Sequence, residues 1–282
     1  DVDDFAPRIA FNFSVFNNVL EEVAKFRAAR RIWARLLKEK YGAKNPRSLT
    51  FRTGAGSGGS TLVAQQPQNN VVRVTLHTII AAMAGVQSMH TASMDEAHAL
   101  PSEEAATLAL RTQQIVAYES GLADVIDPLG GSYYVENLTD QIEEQVEVYM
   151  KGIEERGGMV AAIESGWVVR EISESAYRFQ REVEEGERVI VGLNRFTTDE
   201  VPPIDLHRPD STVAQGAIQE IEELRKQRDP VALTRALDDL KSVATEGGNL
   251  MPPTLEAIRA LGTVGEVSAV LREVFGEWQA PS

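Results

Sequence analysis

The chain has 282 residues, no cysteine and a formal net charge of −14 at pH 7. This length is enough to bury the core of one or two domains. The acidic balance argues against a nucleic-acid-binding protein, because no basic stripe is available to face phosphates. The absence of cysteine excludes disulfides and thiolate metal sites. No His, Asp or Glu spacing is typical of a metal site, so we expect none.

The sequence also limits the cellular location. No apolar run is long enough to cross a bilayer, and the first four residues, Asp1 to Asp4, are mostly acidic. Neither feature is typical of a transmembrane helix, a signal peptide or a mitochondrial presequence. We therefore expect a cytoplasmic protein without a membrane partner.

Strand-like and helical patterns alternate over the first 155 residues. The apolar run from Asp3 to Phe13 predicts a strand with its core at residues 8–13, and further strands are predicted at residues 48–52, 86–90 and 125–127. Apolar residues at helical spacing predict helices over residues 15–40, 68–84, 102–119 and about 138–153. Ser102 is predicted to be the N-cap of the third helix, where Glu103 and Glu104 favour the positive helix end.

Repeated βα units indicate parallel strands in a doubly wound sheet or a β/α barrel. Four such units are half of an eight-stranded barrel. Half a barrel has two unpaired edges, so we expect polypeptide outside this chain to complete it.

The pattern changes beyond about residue 195. Pro202, Pro203 and Pro209 predict a loop, and short helices follow. Asp229 before Pro230 is typical of an N-cap followed by proline in the first turn. The segment from Thr263 to Glu266 predicts a capping box at the start of another helix. We interpret this region as a helical linker, or as a tail that wraps a neighbouring domain.

Polar and glycine-rich clusters follow or flank the predicted strands, which is where a β/α barrel binds its ligand. The clusters cover residues 8–12, 54–60, 87–96 and 127–134. The glycine run Gly54 to Gly59 indicates either a flexible connection or a loop that lets a bulky ligand approach the backbone. It lacks the Gly-Lys-Ser/Thr ending of a phosphate-binding P-loop.

Individual polar residues leave two interpretations open. His90 is either a buried histidine with a protein partner or a ligand contact, while His77 and His98 are assigned no role. Arg8 and Arg52 suit a phosphate or carboxylate, or else a structural ion pair. Glu119 and Glu136 are interpreted as solvated helix charges. From the residues alone we predict a ligand-binding half-barrel of unknown chemistry.

Several longer motifs add a family resemblance. They are Asp4-Phe-Ala-Pro-Arg8, Gln65-Gln-Pro-Gln-Asn-Asn-Val-Val-Arg73, Gln87-Ser-Met-His-Thr91, Asp95-Glu-Ala97, Asp127-Pro-Leu-Gly-Gly-Ser-Tyr133, Val189-Ile-Val-Gly-Leu-Asn194 and Val264-Gly-Glu266. In these motifs and in their order, nearly the whole chain resembles the large subunit of the methylmalonyl-CoA mutase family, which includes isobutyryl-CoA and 2-hydroxyisobutyryl-CoA mutases.

The resemblance implies an α/β fold, the C-terminal half of a (β/α)8 TIM barrel over residues 1–195, followed by a helical linker over residues 196–282. It implies an isomerase that uses adenosylcobalamin (coenzyme B12) in a radical rearrangement of a branched acyl-CoA. The implied partners are the acyl-CoA substrate, the N-terminal half of the barrel and a separate small cobalamin-binding subunit or domain, in a dimer or heterotetramer. The isolated chain is then expected to be inactive.

The same resemblance implies site residues one by one. Arg8, Gln87 and Ser88 match positions that contact the CoA or its thioester. Gly59 matches a glycine beneath the corrin ring, while Glu96 and Ala97 match residues that face adenosylcobalamin. Glu96 would accept hydrogen bonds from ribose hydroxyls. The family's catalytic tyrosine–histidine pair is expected upstream of residue 1.

Three segments depart from the family pattern. The chain has Gly56-Ser-Gly-Gly59 where the family has a glutamine-bearing segment, Ala92 in place of asparagine, and Ala10-Phe-Asn12 in place of a serine-bearing aromatic segment. These departures favour a substrate other than methylmalonyl-CoA. They also keep open a non-catalytic homologue that stabilises a mutase heterodimer. A free CoA-binding module fits less well, because its sheet edges would be unpaired.

Overall fold

The computed structural model describes residues 1–199, 206–208, 210–279 and 281. It divides into two compact units, Asp1–His207 and Arg208–Ser282. The prolines that predict a loop, Pro202, Pro203 and Pro209, lie outside the described residues. None of the helices in the described ranges combines the length and apolar character that a membrane span requires.

The first unit is α/β, with helices around a small parallel sheet. Its strands are β1 (Phe11–Val15), β2 (Thr53–Ser57) and β3 (Ser88–His90). Its helices are α1 (Val2–Phe5), α2 (Val19–Arg35), α3 (Asn69–Ala84), α4 (Glu103–Glu119), α5 (Tyr133–Glu155), α6 (Met159–Glu164) and α7 (Trp167–Glu184). Short 3-10 turns cover Ala6–Arg8, Pro46–Leu49, Gly59–Thr61 and Leu122–Asp124, and a π-helical segment, Leu36–Lys40, continues α2.

The strands lie in the order β1-β2-β3, and both pairings are parallel. One face of the sheet is apolar and carries Phe13, Val15, Ala55 and Met89. Helices α2 and α3 cover this face. Their buried contacts are Val23, Phe26, Ile80, Ala81 and Ala84. Each helix crosses back over the strand that precedes it, as in the predicted βα units.

The strand predicted at residues 8–13 begins too early, and the strand predicted at residues 48–52 is wrong because β2 starts only at Thr53. The strand predicted at residues 86–90 contains β3. Asp1 caps α1 by accepting from the Asp3 N–H, and Pro7 has no N–H to give to a ladder. The chain therefore turns before β1 starts at Phe11. The second strand is the glycine-rich segment itself, Thr53–Ser57. Glycine is unfavourable in strands, but β2 lies between two partners, and their hydrogen bonds outweigh that preference.

The predicted fourth strand at residues 125–127 is wrong, and the parallel sheet of the described residues has three strands. Asp127 has a positive φ of 50°, a left-handed conformation that no strand residue adopts. Its carboxylate binds Arg27 of α2. This ion pair holds the segment against a helix instead of a strand edge.

The helix predictions are confirmed to within a few residues at most ends. The predicted helix over residues 15–40 begins at Val19, and its last turn is the π-helical segment. Those over 68–84 and 102–119 are α3 and α4. The Ser102 hydroxyl accepts from the Ala105 N–H at 3.2 Å, which confirms the predicted cap. The fourth is α5, which is longer at its start than predicted.

Helix α5 packs beside α2 through ion pairs between a row of arginines on α2 and a row of acidic residues on α5. Arg27, Arg31 and Arg35 are spaced one turn apart on α2, as ridge positions on one helix face are. They meet acidic residues of α5, and the pairs are Arg27–Glu136, Arg31–Asp140, Arg31–Glu143, Arg35–Glu143 and Arg35–Glu147. Glu136 is therefore an ion-pair partner, which corrects its interpretation as a solvated charge. It also accepts from the Gly131 N–H at 2.9 Å.

The second unit is helical, with α8 (Ser211–Gln227), α9 (Pro230–Glu246), α10 (Met251–Arg259) and α11 (Val264–Phe275). Asp229 caps α9 by accepting from the Val231 and Ala232 N–H groups. Thr263 and Glu266 form the predicted capping box at the start of α11. The buried core of the unit is Leu233, Leu240, Ala244 and Ala257.

Candidate functional site

The second face of the sheet is polar and is not covered by α2 or α3. Because side chains alternate along a strand, this face carries the even-numbered positions of all three strands. The parallel register places them in two rows, Asn12–Gly54–Ser88 and Ser14–Gly56–His90. Asn12, Ser14, Ser88 and His90 are exposed. Both positions of the central strand are glycine, so a groove with a backbone floor follows β2.

Two polar groups converge over Gly54. A Cβ at this residue would lie 2.8 Å from Ser88 Oγ and 3.1 Å from Asn12 Oδ1. The first distance is shorter than a Cβ tolerates, so a side chain at residue 54 would force the Ser88 hydroxyl to rotate away. The hydroxyl of Ser88 and the amide of Asn12 therefore face each other across the floor of the groove.

The groove ends at a rim formed by the loops after β2 and β3. Gly58 extends the pairing of β2, since its N–H donates to Val15 O at 2.8 Å. A Cβ at Gly58 would lie 2.8 Å from the Phe16 ring, and a Cβ at Gly59 would lie 2.7 Å from Glu96 Oε1. Gly59, Glu96 and Ala97 are all exposed. The structure thus brings together the three residues predicted for cofactor binding.

A buried amide ties the two rim loops together. Asn70, at the start of α3, is fully buried. Its Oδ1 accepts from the Val63 N–H at 3.0 Å, and its Nδ2 donates to Val63 O and Met94 O, each at 2.9 Å. Sequence reasoning missed this role. The only signal was the pair Asn69-Asn70 at a helix start, which predicts capping and not a bridge between loops.

Asp95, a buried residue of the loop after β3, also holds the rim in place. It is 1% exposed, and its Oδ2 accepts from the Ser102 N–H at 2.9 Å. The Ala92 N–H donates to Ser57 Oγ at 3.2 Å, which joins the ends of β2 and β3. The position of Glu96 is therefore set by its buried neighbour and by the start of α4.

His77, for which no role was predicted, is 2% exposed in α3. Its Nε2 lies 2.8 Å from Asn17 Oδ1, so the ring donates from Nε2, and Nδ1 has no partner in the described residues. Burial lowers the pKa of His77 to about 4. The ring is therefore neutral at pH 7, and it anchors the loop after β1 to α3.

The residues predicted to contact CoA lie toward the opposite end of the sheet. Arg8 is exposed before β1. Gln87 precedes β3, and its Oε1 accepts from the Thr53 N–H at 2.7 Å, so its side chain pairs β3 with β2. Ser88 lies inside the groove. Arg52 donates to Pro7 O and Ile9 O, which makes it a structural residue.

This arrangement can hold an extended ligand along the groove and a large flat ligand at the rim. Gly59 has no side chain, and the space that its Cβ would fill is taken by Glu96 Oε1. Beside it, the Glu96 carboxylate is free to accept hydrogen bonds from hydroxyl groups. The residues present therefore fit a ligand that offers hydroxyl groups to Glu96, as a nucleoside does. Within the described ranges, no cluster of three or more His, Asp or Glu side chains could hold a metal ion.

Comparison with known proteins gives one family. Residues 1–277 match the family model described as methylmalonyl-CoA mutase. The 2-hydroxyisobutanoyl-CoA mutase large subunit of Aquincola tertiaricarbonis is 43% identical over 280 residues, which are 99% of this chain and 50% of that protein. The methylmalonyl-CoA mutase of Rhizobium meliloti (strain 1021) is 42% identical over 282 residues, 99% of this chain and 40% of that protein.

A third relative extends the same result. The methylmalonyl-CoA mutase of Escherichia coli (strain K12) is 39% identical over 282 residues, which cover 100% of this chain and 39% of that protein. The chain thus spans half or less of the length of these relatives.

Proposed function

Since the chain belongs to the methylmalonyl-CoA mutase family, we propose that it is part of the large subunit of a coenzyme B12-dependent mutase. The proposed reaction is the rearrangement of the carbon skeleton of a branched acyl-CoA. The observation that carries this proposal is the contact of Gly59 with Glu96 at the carboxyl end of a parallel sheet, because ligands bind at that end in β/α folds.

The three strands are proposed to be the last strands of an eight-stranded barrel, with their polar face turned inward. An inward face needs small residues if a ligand is to pass along it, and Gly54 and Gly56 meet that need. Residues 196–282 are proposed as the linker that follows the barrel. The catalytic tyrosine–histidine pair is proposed to lie in the preceding part of the polypeptide, which would also pair with the free strand edges.

The proposed roles of the site residues follow from their positions. Glu96 accepts hydrogen bonds from the ribose hydroxyls of adenosylcobalamin, Gly59 allows the ring to approach, and Ala97 lines the same rim. Ser88 donates its hydroxyl to the thioester oxygen. Arg8 and Gln87, at the far end of the groove, contact the CoA chain.

When bound, adenosylcobalamin supplies the carbon-centred radical chemistry, and this chain supplies orientation and exclusion of water. The apolar opposite face of the sheet, packed on α2 and α3, keeps the groove rigid. Rigid placement matters because a displacement of 1 Å from the reactive geometry lowers rates about a hundredfold.

The test is cobalamin-dependent isomerisation by the full-length protein, reconstituted with a cobalamin-binding subunit or domain. We expect turnover of at least one of methylmalonyl-CoA, isobutyryl-CoA and 2-hydroxyisobutyryl-CoA. Mass spectrometry of the separated isomers measures this turnover. Glu96→Gln keeps the shape but removes the charge, so we expect about tenfold weaker cofactor binding. The matched control Glu104→Gln changes an exposed residue of α4 and should bind cofactor as the wild type does.

A non-catalytic homologue that stabilises a mutase heterodimer is the second candidate. The observation that favours it is the pair of glycines in the central strand, which leaves the groove without functional groups at two positions. This candidate predicts no turnover of any acyl-CoA with cofactor present, together with stable association with an active mutase subunit. Absence of both turnover and cofactor binding would contradict the mutase proposal.

A further inference from the structure

A compact turn follows α7 and is stabilised by its own hydrogen bonds. It covers residues 189–196 and is named the clasp turn here. Asn194 Oδ1 accepts from the Ile190 N–H at 2.8 Å, and the Gly192 N–H donates to Arg195 O at 2.8 Å. Gly192 has a φ of 84°, a left-handed conformation that favours glycine. The clasp turn therefore has a defined shape with which to contact other parts of the first unit.

Two side chains dock the clasp turn on α3 and on the residues just before that helix. Arg73 donates to Val191 O at 2.7 Å, and Gln66 Nε2 donates to Phe196 O at 2.9 Å. A Cβ at Gly192 would lie only 2.8 Å from Gln66 Oε1. The turn can therefore approach this closely only because residue 192 is glycine. The two contacts join residues 118 and 130 positions apart in the chain.

The same arginine also reaches the rim of the groove. Arg73 is 8% exposed, and its second terminal nitrogen donates to Asn70 Oδ1 at 2.8 Å. That oxygen also accepts from the Val63 N–H, while the amide nitrogen of Asn70 donates to Met94 O. One guanidinium group therefore connects the clasp turn, through Asn70, to the loop after β2 and the loop after β3.

Arginine suits this connection for a physical reason. Burial lowers the pKa of Arg73, so the charge is kept in α3 at a cost in solvation. Hydrogen bonds from a charged donor to the Asn70 and Val191 oxygens offset this cost. The planar guanidinium fork reaches both acceptors at once, whereas an uncharged aliphatic chain would leave both oxygens without this donor.

We propose that Arg73 is a positioning residue for cofactor binding, which transmits the docking of the clasp turn to the rim and so fixes Glu96. Met94, which Asn70 holds, is two residues before Glu96, so a loosened amide of Asn70 would let the carboxylate move. The proposed linker begins at residue 196, and the clasp turn thus ties the first residue of the linker to the cofactor rim. The role of Glu96 in this inference rests on the proposed function.

Hydrogen exchange of the full-length, cofactor-free protein tests the connection directly. Arg73→Met keeps the apolar stem and removes the donors. We expect the Val63 amide, which bonds Asn70 Oδ1, to exchange about tenfold faster, because a hydrogen bond from a charged group changes a local equilibrium by that factor or more. Arg235→Met, at an exposed position of α9, is the control and should leave this exchange unchanged.

A second variant acts from the clasp turn and keeps the test decisive if Arg73→Met does not fold. Gly192→Ala pushes the turn away from Gln66, so the Val63 amide should again exchange faster than in wild type. Gly186→Ala is the matched control. Its φ of 78° gives a similar backbone strain, but its Cβ meets nothing within 4 Å, so exchange at Val63 should stay as in wild type.

Calorimetric titration with adenosylcobalamin, in the full-length protein reconstituted with a cobalamin-binding subunit or domain, tests the effect on the cofactor. Arg73→Met and Gly192→Ala should each raise the Kd about tenfold with unchanged stoichiometry. A variant that merely folds less well would instead lower the number of sites at the same Kd. In a Glu96→Gln protein, Arg73→Met should weaken binding no further, because both changes act on one carboxylate.

Each outcome decides the inference. If Val63 exchanges in Arg73→Met and Gly192→Ala as it does in wild type, the inference is overturned and the proposed function stands. The same holds if both variants bind adenosylcobalamin as wild type does, or if the effects of Arg73→Met and Glu96→Gln add. If wild type itself binds no adenosylcobalamin, the proposed function and the inference are both wrong.

Discussion

The carboxylate of Glu96 lies against the backbone of Gly59, where a Cβ would be only 2.7 Å from Oε1. The two residues belong to different loops, one after β2 and one after β3. Their contact defines the rim of the groove. It depends on glycine at residue 59, since any side chain there would have to displace the carboxylate.

Gly59→Ala is predicted to move Glu96 and weaken binding of adenosylcobalamin about tenfold, because a charge-assisted hydrogen bond would lose its geometry. Isothermal titration of the reconstituted protein measures the change. Gly265→Ala is the control, since the nearest atom to its Cβ is Thr263 Oγ1 at 3.9 Å. Equal affinity in Gly59→Ala and wild type would show that the rim does not hold the cofactor.

The second prediction concerns the charged contact of α2 with α5. Glu143 is 5% exposed and meets Arg31 and Arg35, whose side chains are 49% and 40% exposed. Glu143→Gln leaves both guanidinium groups without this partner. We expect the free energy of unfolding to fall by about 1–2 kcal/mol, below the 3–5 kcal/mol typical of a fully buried pair because the arginines are partly solvated.

Urea denaturation in low salt measures this change. Glu144→Gln, at the neighbouring exposed position, is the control and should alter stability by less than about 0.5 kcal/mol. A Glu143→Gln protein as stable as that control would mean that apolar packing alone holds α5 in place.

His77 predicts a pH dependence of stability. Burial lowers its pKa to about 4 in the folded state, against about 6.5 in the unfolded state. Between these values the unfolded chain binds more protons. The stabilisation that depends on neutral His77 is therefore fully present above about pH 6.5 and decreases as the pH falls toward 4. From pH 7 to pH 5 the contribution of His77 should decrease by about 2 kcal/mol.

Urea unfolding at both pH values, on wild type and His77→Gln, measures this contribution. In His77→Gln, most of the difference in the free energy of unfolding between pH 7 and pH 5 should disappear. His98→Gln, which changes an exposed histidine, should keep that difference. An unchanged difference in His77→Gln would assign the acid sensitivity to other groups.

The fourth prediction concerns the second unit. Glu266 pairs with Arg228 at 2.7 Å and accepts from the Thr263 N–H at 2.9 Å. The hydrogen bond from Arg228 is the main reason that the pKa of Glu266 is lowered to about 2. Its stabilisation is therefore present above about pH 4.5 and is lost as the pH falls toward 2.

Glu266→Gln removes the charge that pairs with Arg228 and leaves only a neutral acceptor for the Thr263 N–H, so we expect a loss of about 1 kcal/mol. Hydrogen exchange at the amides of α11 reports this loss directly. Glu222→Gln on α8, an exposed position, should leave that exchange unchanged. Equal protection of α11 in both variants would contradict a stabilising role for this cap.

Local signals in the sequence determined the helices, their caps and the family. Ser102, Asp229 and Thr263 cap helices as predicted, because a cap satisfies backbone groups within four residues of itself. The family motifs are likewise contiguous, and the match over residues 1–277 confirms the resemblance. Apolar spacing identified α2 to α5 for the same reason, since the residues of one helix face recur only about three or four positions apart in the sequence.

Only the tertiary structure decided where β2 lies and which residues form the rim. The glycine-rich residues 53–57 have weak strand propensity, and they form β2 because β1 and β3 pair with both of its edges. Val125 and Ile126 have the apolar character of a strand, yet Asp127 is in a left-handed conformation and binds Arg27 of a distant helix. Such contacts join residues far apart in the chain, and their energies depend on packing and pairing that no local pattern encodes.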